Sequence, residues 1–250
     1  MAGVSFFGEV VQQSSRAFWN DEDSDDEIDD VTDVKLQLTL ESNENMSNFT
    51  LIVADGRIAC EFAKFFLVNS KSSKIARIHK AGENSENSSA ALFKLNETAV
   101  LSISSGISVE QSNEFTSLLL PWMKKASQIV ILGSACCTDY KCYDPDLLPS
   151  SFLRSLSTEA WRESVKAPLL ETPNIVSGVS ASVLTICEVQ NFPAVLYVCY
   201  AESLRIDSKS VEPLFKLFDS CDNLKSLITL DAHRKKFSCA STITSSNMYL

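Results

Sequence analysis

The sequence predicts an α/β fold with a largely parallel central sheet flanked by helices. Three observations carry that prediction. Short apolar runs such as Phe49–Ala54 and Ala194–Tyr200 have the composition of strands buried on both faces. Other segments, such as Ser210–Phe218, repeat their apolar residues at helical spacing. The two kinds alternate along the chain, as successive strand–helix–strand units require.

The elements follow in order from Val34. Val34, Leu36, Leu38 and Leu40 alternate with polar residues, the pattern of a half-buried strand. Phe49–Ala54 is a buried strand, and Arg57 to Asn69 is a helix through Ile58, Phe62, Phe65 and Phe66. Ile75–Ile78 is a further strand, Ala81–Ser89 a Ser/Asn/Gly/Glu loop, and Thr98–Ile103 another strand. Ser108 opens a helix with Gln111 in the capping-box position, running to about Lys125 with Pro121 expected to kink or end it. Gln128–Leu132 is a short buried strand. Pro149–Leu156 has the spacing of a short helix, and Val179–Val189 that of a longer one through Val179, Val183, Leu184 and Cys187. Ala194–Tyr200 is the clearest buried strand, and Ser210–Phe218 is an amphipathic helix through Val211, Leu214, Phe215 and Phe218. The domain reading is therefore residues 1–34 as an N-terminal anchor and acidic disordered segment, 35–230 as the α/β domain, and 231–250 as a flexible C-terminal tail.

Composition narrows the function. The 250 residues carry 22 Lys+Arg against 32 Asp+Glu, a formal net charge of -10. The acidity is concentrated between Asn20 and Asp33, a stretch with no Lys or Arg that is too charged to bury. No extended basic surface is evident in the rest, so nucleic-acid binding is not expected. Glycine, at 7 residues, is under half the average ~7%. None of the glycines forms a phosphate-cradling loop or a nucleophile elbow. No run of apolar residues is long enough to span a membrane, and the first residues lack the pattern of a secretory signal. Cytoplasmic localisation is expected, extending to the nucleus or the endoplasmic reticulum surface.

Candidate chemistry is thin. Asp231 and His233 with a serine, or Cys136 or Cys137 with His79, are the only arrangements resembling a nucleophilic site. Cys136, Cys137 and Cys142 do not form a CxxC pair, and no second cluster completes four ligands. No cofactor, metal or catalytic residue is expected, and the chain reads as a non-enzyme. A small α/β enzyme, of nucleoside-phosphorylase-like or hydrolase type, is the alternative.

Five blocks carry a resemblance: Phe6-Phe7-Gly8-Glu9-Val10-Val11, Thr138-Asp139-Tyr140-Lys141, Leu148–Leu156, Pro168–Val176 and Pro193–Tyr200. In this order they resemble the proteasome assembly chaperones, and among them the first subunit of the chaperone heterodimer. The ending Met248-Tyr249-Leu250 is similar to the hydrophobic–tyrosine–any-residue motif by which that family engages the proteasome. The resemblance implies a nucleoside-phosphorylase-like fold without catalysis. It also implies pairing with a second chaperone subunit, binding of proteasome α subunits, and promotion of 20S α-ring assembly. Met248, Tyr249 and Leu250 would be the partner-binding residues. The proline-punctuated segments Leu148–Leu156 and Pro168–Val176 are expected in loops, either buried or forming an apolar ledge for a partner.

Overall fold

Two families of apolar residues alternate along the central strands, and each family meets a different layer of helices. The computed structural model describes residues 35–42, 46–81, 90–144 and 148–228. Eight strands form one sheet: β1 (Leu36–Leu40), β2 (Phe49–Ala54), β3 (Ser73–Lys80), β4 (Ala90–Asn96), β5 (Ala99–Ile103), β6 (Ala126–Cys136), β7 (Ser151–Ser157) and β8 (Ala194–Ala201). Their spatial order is β1-β3-β4-β5-β2-β6-β8-β7. The four central strands β5, β2, β6 and β8 run parallel, while the outer strands pair antiparallel.

On β2, Ile52 and Ala54 face one core while Leu51 and Val53 face the other. The first core is closed by α1 (Arg57–Phe62, continued as a π-helical turn Ala63–Leu67), α4 (Ser208–Ser220) and α5 (Asp222–Lys225). Here the ring of Phe62 lies 5.2 Å from Phe215 and 5.3 Å from Phe218, and Phe66 lies 4.9 Å from Phe215. The second core is closed by α2 (Ser112–Met123) and α3 (Gly178–Val189), through Phe115, Leu119, Val179, Val183 and Cys187. Strands buried on both faces need no polar alternation, so β2 and β8 are nearly continuous apolar runs.

The local reading meets tertiary structure at several points. Pro149–Leu156 is not a helix: Ser151–Ser157 is β7, the edge strand beside β8. Phe152, Leu153 and Leu156 fit helical spacing, but β8 is buried along its whole length and needs a hydrogen-bonding partner on the side away from β6. β7 supplies it, from Ser151↔Ala201 to Ser157↔Val195. β6 also extends to Cys136, because β8 pairs with it from Ile129↔Ala194 to Cys136↔Ala201. β4 has no counterpart in the sequence reading, since alanine is a poor strand former and two alanines open it. α2 begins at Ser112, and it continues past Pro121 to Met123. Asp207 and Ser210 form a reciprocal capping box that starts α4 at Ser208. The expected anchor, acidic segment and C-terminal tail lie outside the described residues, as does all but Ala81 of the Ala81–Ser89 loop.

Candidate functional site

Four of the five resemblance blocks converge at the β8–β7 end of the sheet. A short 3-10 turn, Cys137–Asp139, carries the chain from β6 to Tyr140. The Tyr140 ring packs edge-on to Phe152 of β7 at 5.0 Å and against Tyr200 of β8 at 4.9 Å, and Phe152 stacks on Tyr200 at 5.3 Å. Arg154, two residues beyond Phe152 on β7, lays its guanidinium 4.8 Å from the Phe152 ring centre and 5.1 Å from that of Tyr140. Such cation–π contacts are favourable because the ring faces are negative. Arg154 Nε donates to the Tyr140 hydroxyl at 2.9 Å and to Glu171 Oε2 at 3.2 Å, and the Tyr140 hydroxyl donates to the same carboxylate. That donation is the main cause holding the Glu171 carboxyl below its usual range. Burial, with the bond to Glu171 adding to it, pushes the Tyr140 phenol up.

The segment bearing Glu171 is pinned from both sides. Ser155 of β7 donates its hydroxyl to the Ala167 and Pro168 carbonyls, and its backbone N–H to Pro168 at 2.8 Å. Leu170 N–H returns to the Ser155 carbonyl at 2.8 Å. Asn174 accepts from Lys141 N–H at 2.7 Å and donates to the Lys141 carbonyl at 3.0 Å. Beside these anchors Leu169 is 66% exposed and Ile175 is 85% exposed. Pro168–Val176 is therefore a loop that exposes Leu169 and Ile175 while burying Leu170, and the Leu148–Leu156 block supplies most of β7, the strand beside it. These contacts consume part of the free edge of β7. Ser155 is bonded to the Pro168–Leu170 segment, and Arg154 Nη1 donates to the Leu153 carbonyl at 3.1 Å. Strand addition along this stretch of β7 is thereby obstructed.

The carboxyl ends of the parallel strands, where open α/β sheets place their ligands, are arranged differently. Asp55 follows β2, and its Oδ1 accepts from Gly56 N–H at 2.9 Å and Ser104 Oγ at 2.8 Å. Its Oδ2 accepts from Ser180 N–H at 2.8 Å and Ser180 Oγ at 2.9 Å. Ser134 Oγ in turn accepts from the N–H groups of Ile58 and Ala59 at the start of α1. The helix N–H groups that would hold an anionic ligand are taken by the protein's own side chains. Cavities of about 270 and 250 Å³ flank Asp55.

The other sequence candidates do not assemble. His79 sits on β3, with Nε2 3.0 Å from Thr39 Oγ1 and Nδ1 3.1 Å from the Lys80 carbonyl. Four strand spacings separate β3 from β6, roughly 19 Å, which rules out a His79 pair with Cys136 or Cys137. Burial pushes the Cys137 thiol up, the opposite of an activated nucleophile. No group of three His, Cys, Asp or Glu side chains that could hold a metal occurs among the described residues. Asp231, His233, Met248, Tyr249 and Leu250 lie outside the described residues. The sequence reading missed Arg154, Glu171 and Asp55. An Asp-Gly pair directly after an apolar strand is the one local signal that points to Asp55, and Arg154 and Glu171 have none.

Comparison with known proteins agrees with this architecture. The family model described as Proteasome assembly chaperone 4 matches residues 1–250. Proteasome assembly chaperone 1 of Nematostella vectensis is 28% identical over 171 residues, covering 67% of this chain and 62% of the relative. The Homo sapiens protein of the same name is 43% identical over 106 residues, 42% of this chain and 36% of the relative. The chain thus spans less than two thirds of the length of these two relatives. The Danio rerio protein of that name is 28% identical, with 91% of this chain and 94% of the relative covered. Among solved structures, Pyrococcus furiosus PbaA, an archaeal homolog of proteasome-assembly chaperone, superposes with TM-score 0.54 at 14% identity, covering 82% of this chain and 90% of that one. Pyrococcus furiosus PbaB, an archaeal proteasome activator, gives 0.53 at 10% identity, covering 82% and 96%. These structural likenesses speak to the fold, and the match along the whole sequence speaks to descent: the chain belongs to the proteasome assembly chaperone family.

Proposed function

We propose that this chain is a non-enzymatic chaperone subunit. It pairs with a second, similarly folded assembly chaperone, binds proteasome α subunits, and promotes 20S α-ring formation in the cytoplasm. The observation that carries the reading is the convergence of Tyr140, Phe152, Arg154, Glu171 and Tyr200 at the edge of the sheet, beside a segment in which Leu169 and Ile175 are exposed. An aromatic cluster held rigid by a satisfied Arg–Glu pair, with exposed apolar side chains in the adjoining segment, offers a binding surface at low conformational cost, as a protein-binding hot spot requires. The enzyme alternative is disfavoured by a specific arrangement: Asp55 and Ser134 occupy the helix N-termini at the carboxyl ends of the strands.

Met248, Tyr249 and Leu250 are proposed as the anchor that enters a pocket between neighbouring α subunits. Tyr249 would bury its ring and keep a polar partner for its hydroxyl, with Met248 packing adaptably beside it.

The test is co-expression of the tagged full chain with candidate chaperone and α subunits. A 1:1 chaperone complex that captures α subunits is expected. Tyr249→Ala should reduce α-subunit capture at least about 10-fold while leaving the 1:1 complex intact. A soluble chain that captures neither class of partner would overturn the reading.

A further inference from the structure

We propose that the outer edge of β1 pairs with the same edge of a second copy of this chain, antiparallel about Leu38, joining two sheets across a twofold axis. β1 is the end strand of the sheet, far from the Tyr140–Arg154 platform, and its described partner is β3 alone. The inference therefore does not rest on the chaperone reading.

Backbone direction comes first. Lys35 accepts from Ala81 N–H at 2.7 Å, and Glu41 N–H donates to Ile75 at 2.7 Å. Odd-numbered residues of β1 thus turn their backbone groups toward β3. In an antiparallel ladder the intervening residues turn theirs the other way, so Leu36, Leu38 and Leu40 present N–H and C=O outward. Among the described residues no backbone hydrogen bond to those groups is seen. The edge also lacks the usual protection: Leu36–Leu40 contains no proline and no charge, and its register with β3 is unbroken. The β7 edge, by contrast, is partly consumed by Pro168, Leu170 and Arg154.

Register and charge then select the occupant. Outward-facing residues must oppose outward-facing residues. Pairing Leu38 with Leu38 of the second copy, and Leu36 with its Leu40, satisfies all the outward groups reciprocally. The segment Leu36-Gln37-Leu38-Thr39-Leu40 is symmetric in its apolar–polar pattern about its centre. The leucines share the face toward α2, where Leu36 is buried, Leu38 half-buried and Leu40 53% exposed. The exposed Leu40 therefore meets the well-packed Leu36 end of the other copy. On the opposite face Gln37 meets Thr39. At the flanks Lys35 comes opposite Glu41, and the twofold repeats this opposite-charge pair at both ends.

A contact of this size falls under ~1,200 Å² in total, so self-association with Kd of about 10–500 μM is expected. The test is sedimentation of the full chain, alone and as its co-purified complex, up to about 1 mM. The mass should rise toward twice that of the species loaded. Leu38→Lys sets like charges against each other on the axis and should weaken association at least about 10-fold. Leu38→Pro removes the central outward N–H without removing a bond to β3 and should do the same. Lys35→Glu should weaken it roughly 3-fold at low salt, an effect that fades by about 0.5 M salt. The proposal is overturned if the species stays single at the highest concentration. It is equally overturned if association is unchanged by Leu38→Lys and Leu38→Pro, or if the edge binds extended peptides but no second copy.

Discussion

The Asp55 carboxylate is the N-terminal cap of a helix 125 residues further along the chain, accepting both the N–H and the hydroxyl of Ser180. Ser177, the residue in the α3 cap position, makes no side-chain cap bond of its own. Asp55 also holds the end of β5 through Ser104. One carboxylate thus ties β2, β5 and α3 together at the carboxyl end of the sheet.

Asp55→Ala should cost about 2–4 kcal/mol, because buried donors lose a charged acceptor. For a domain of this size that is a fall of roughly 4–16 °C in melting temperature. Ser180→Ala removes only the hydroxyl bond and should cost about 1 kcal/mol. Urea midpoints of the two variants check the order, and equal effects would show that Asp55 is not the cap.

Gly56 is a separate constraint at the same place. Its φ of 78° suits glycine, and an added Cβ would lie 2.5 Å from Ser134 Oγ and 2.7 Å from the Ser134 carbonyl. Gly56→Ala should therefore destabilise by at least about 2 kcal/mol. The double variant with Ser134→Ala should not recover it, since the backbone contact remains. Recovery in denaturant melts would locate the strain in the side chain instead.

The Tyr140–Glu171 bond gives the platform a pH signature. Glu171 has its carboxyl lowered in the folded state, so its contribution is present above the unfolded value, near ~4.3, and is lost as pH falls through the folded one. Tyr140 is raised, so its contribution is present below the unfolded value, near ~10, and is lost as pH rises through the folded one. Glu171→Gln should lower the neutral plateau slightly and flatten the acid limb below about pH 5, so that the two curves converge in acid. Urea unfolding across pH 3–7 measures it, and parallel curves for both proteins would refute the coupling.

Leu169 and Ile175 separate binding from folding. Both are exposed, so Leu169→Asp and Ile175→Asp should change stability by no more than about 0.5 kcal/mol. If they are the recognition tips, each should weaken binding of the protein partner about 10-fold or more. Native binding by the double variant would move the interface elsewhere.

Arg154 illustrates what the sequence could not show. Along the chain it is a lone cation in a stretch with helical spacing, and its partners Tyr140 and Glu171 lie 14 and 17 residues away. Nothing local predicts that the three meet. A still longer separation hid β7 itself, whose strand conformation answers a demand made by β8.

The sequence by itself determined the alternation of buried strands and amphipathic helices, the parallel centre of the sheet, and the family. Each of these is written in short-range periodicity or in contiguous blocks of residues, which local sterics and apolar burial translate directly into structure. Tertiary structure alone decided the antiparallel flanks, the conversion of Ser151–Ser157 into an edge strand, the capping of α3 by Asp55, and the assembly of Tyr140, Arg154 and Glu171 into one surface. Those outcomes depend on hydrogen-bond donors and acceptors that must be satisfied across long stretches of chain, and which partner satisfies them is settled only when the sheet has brought them together.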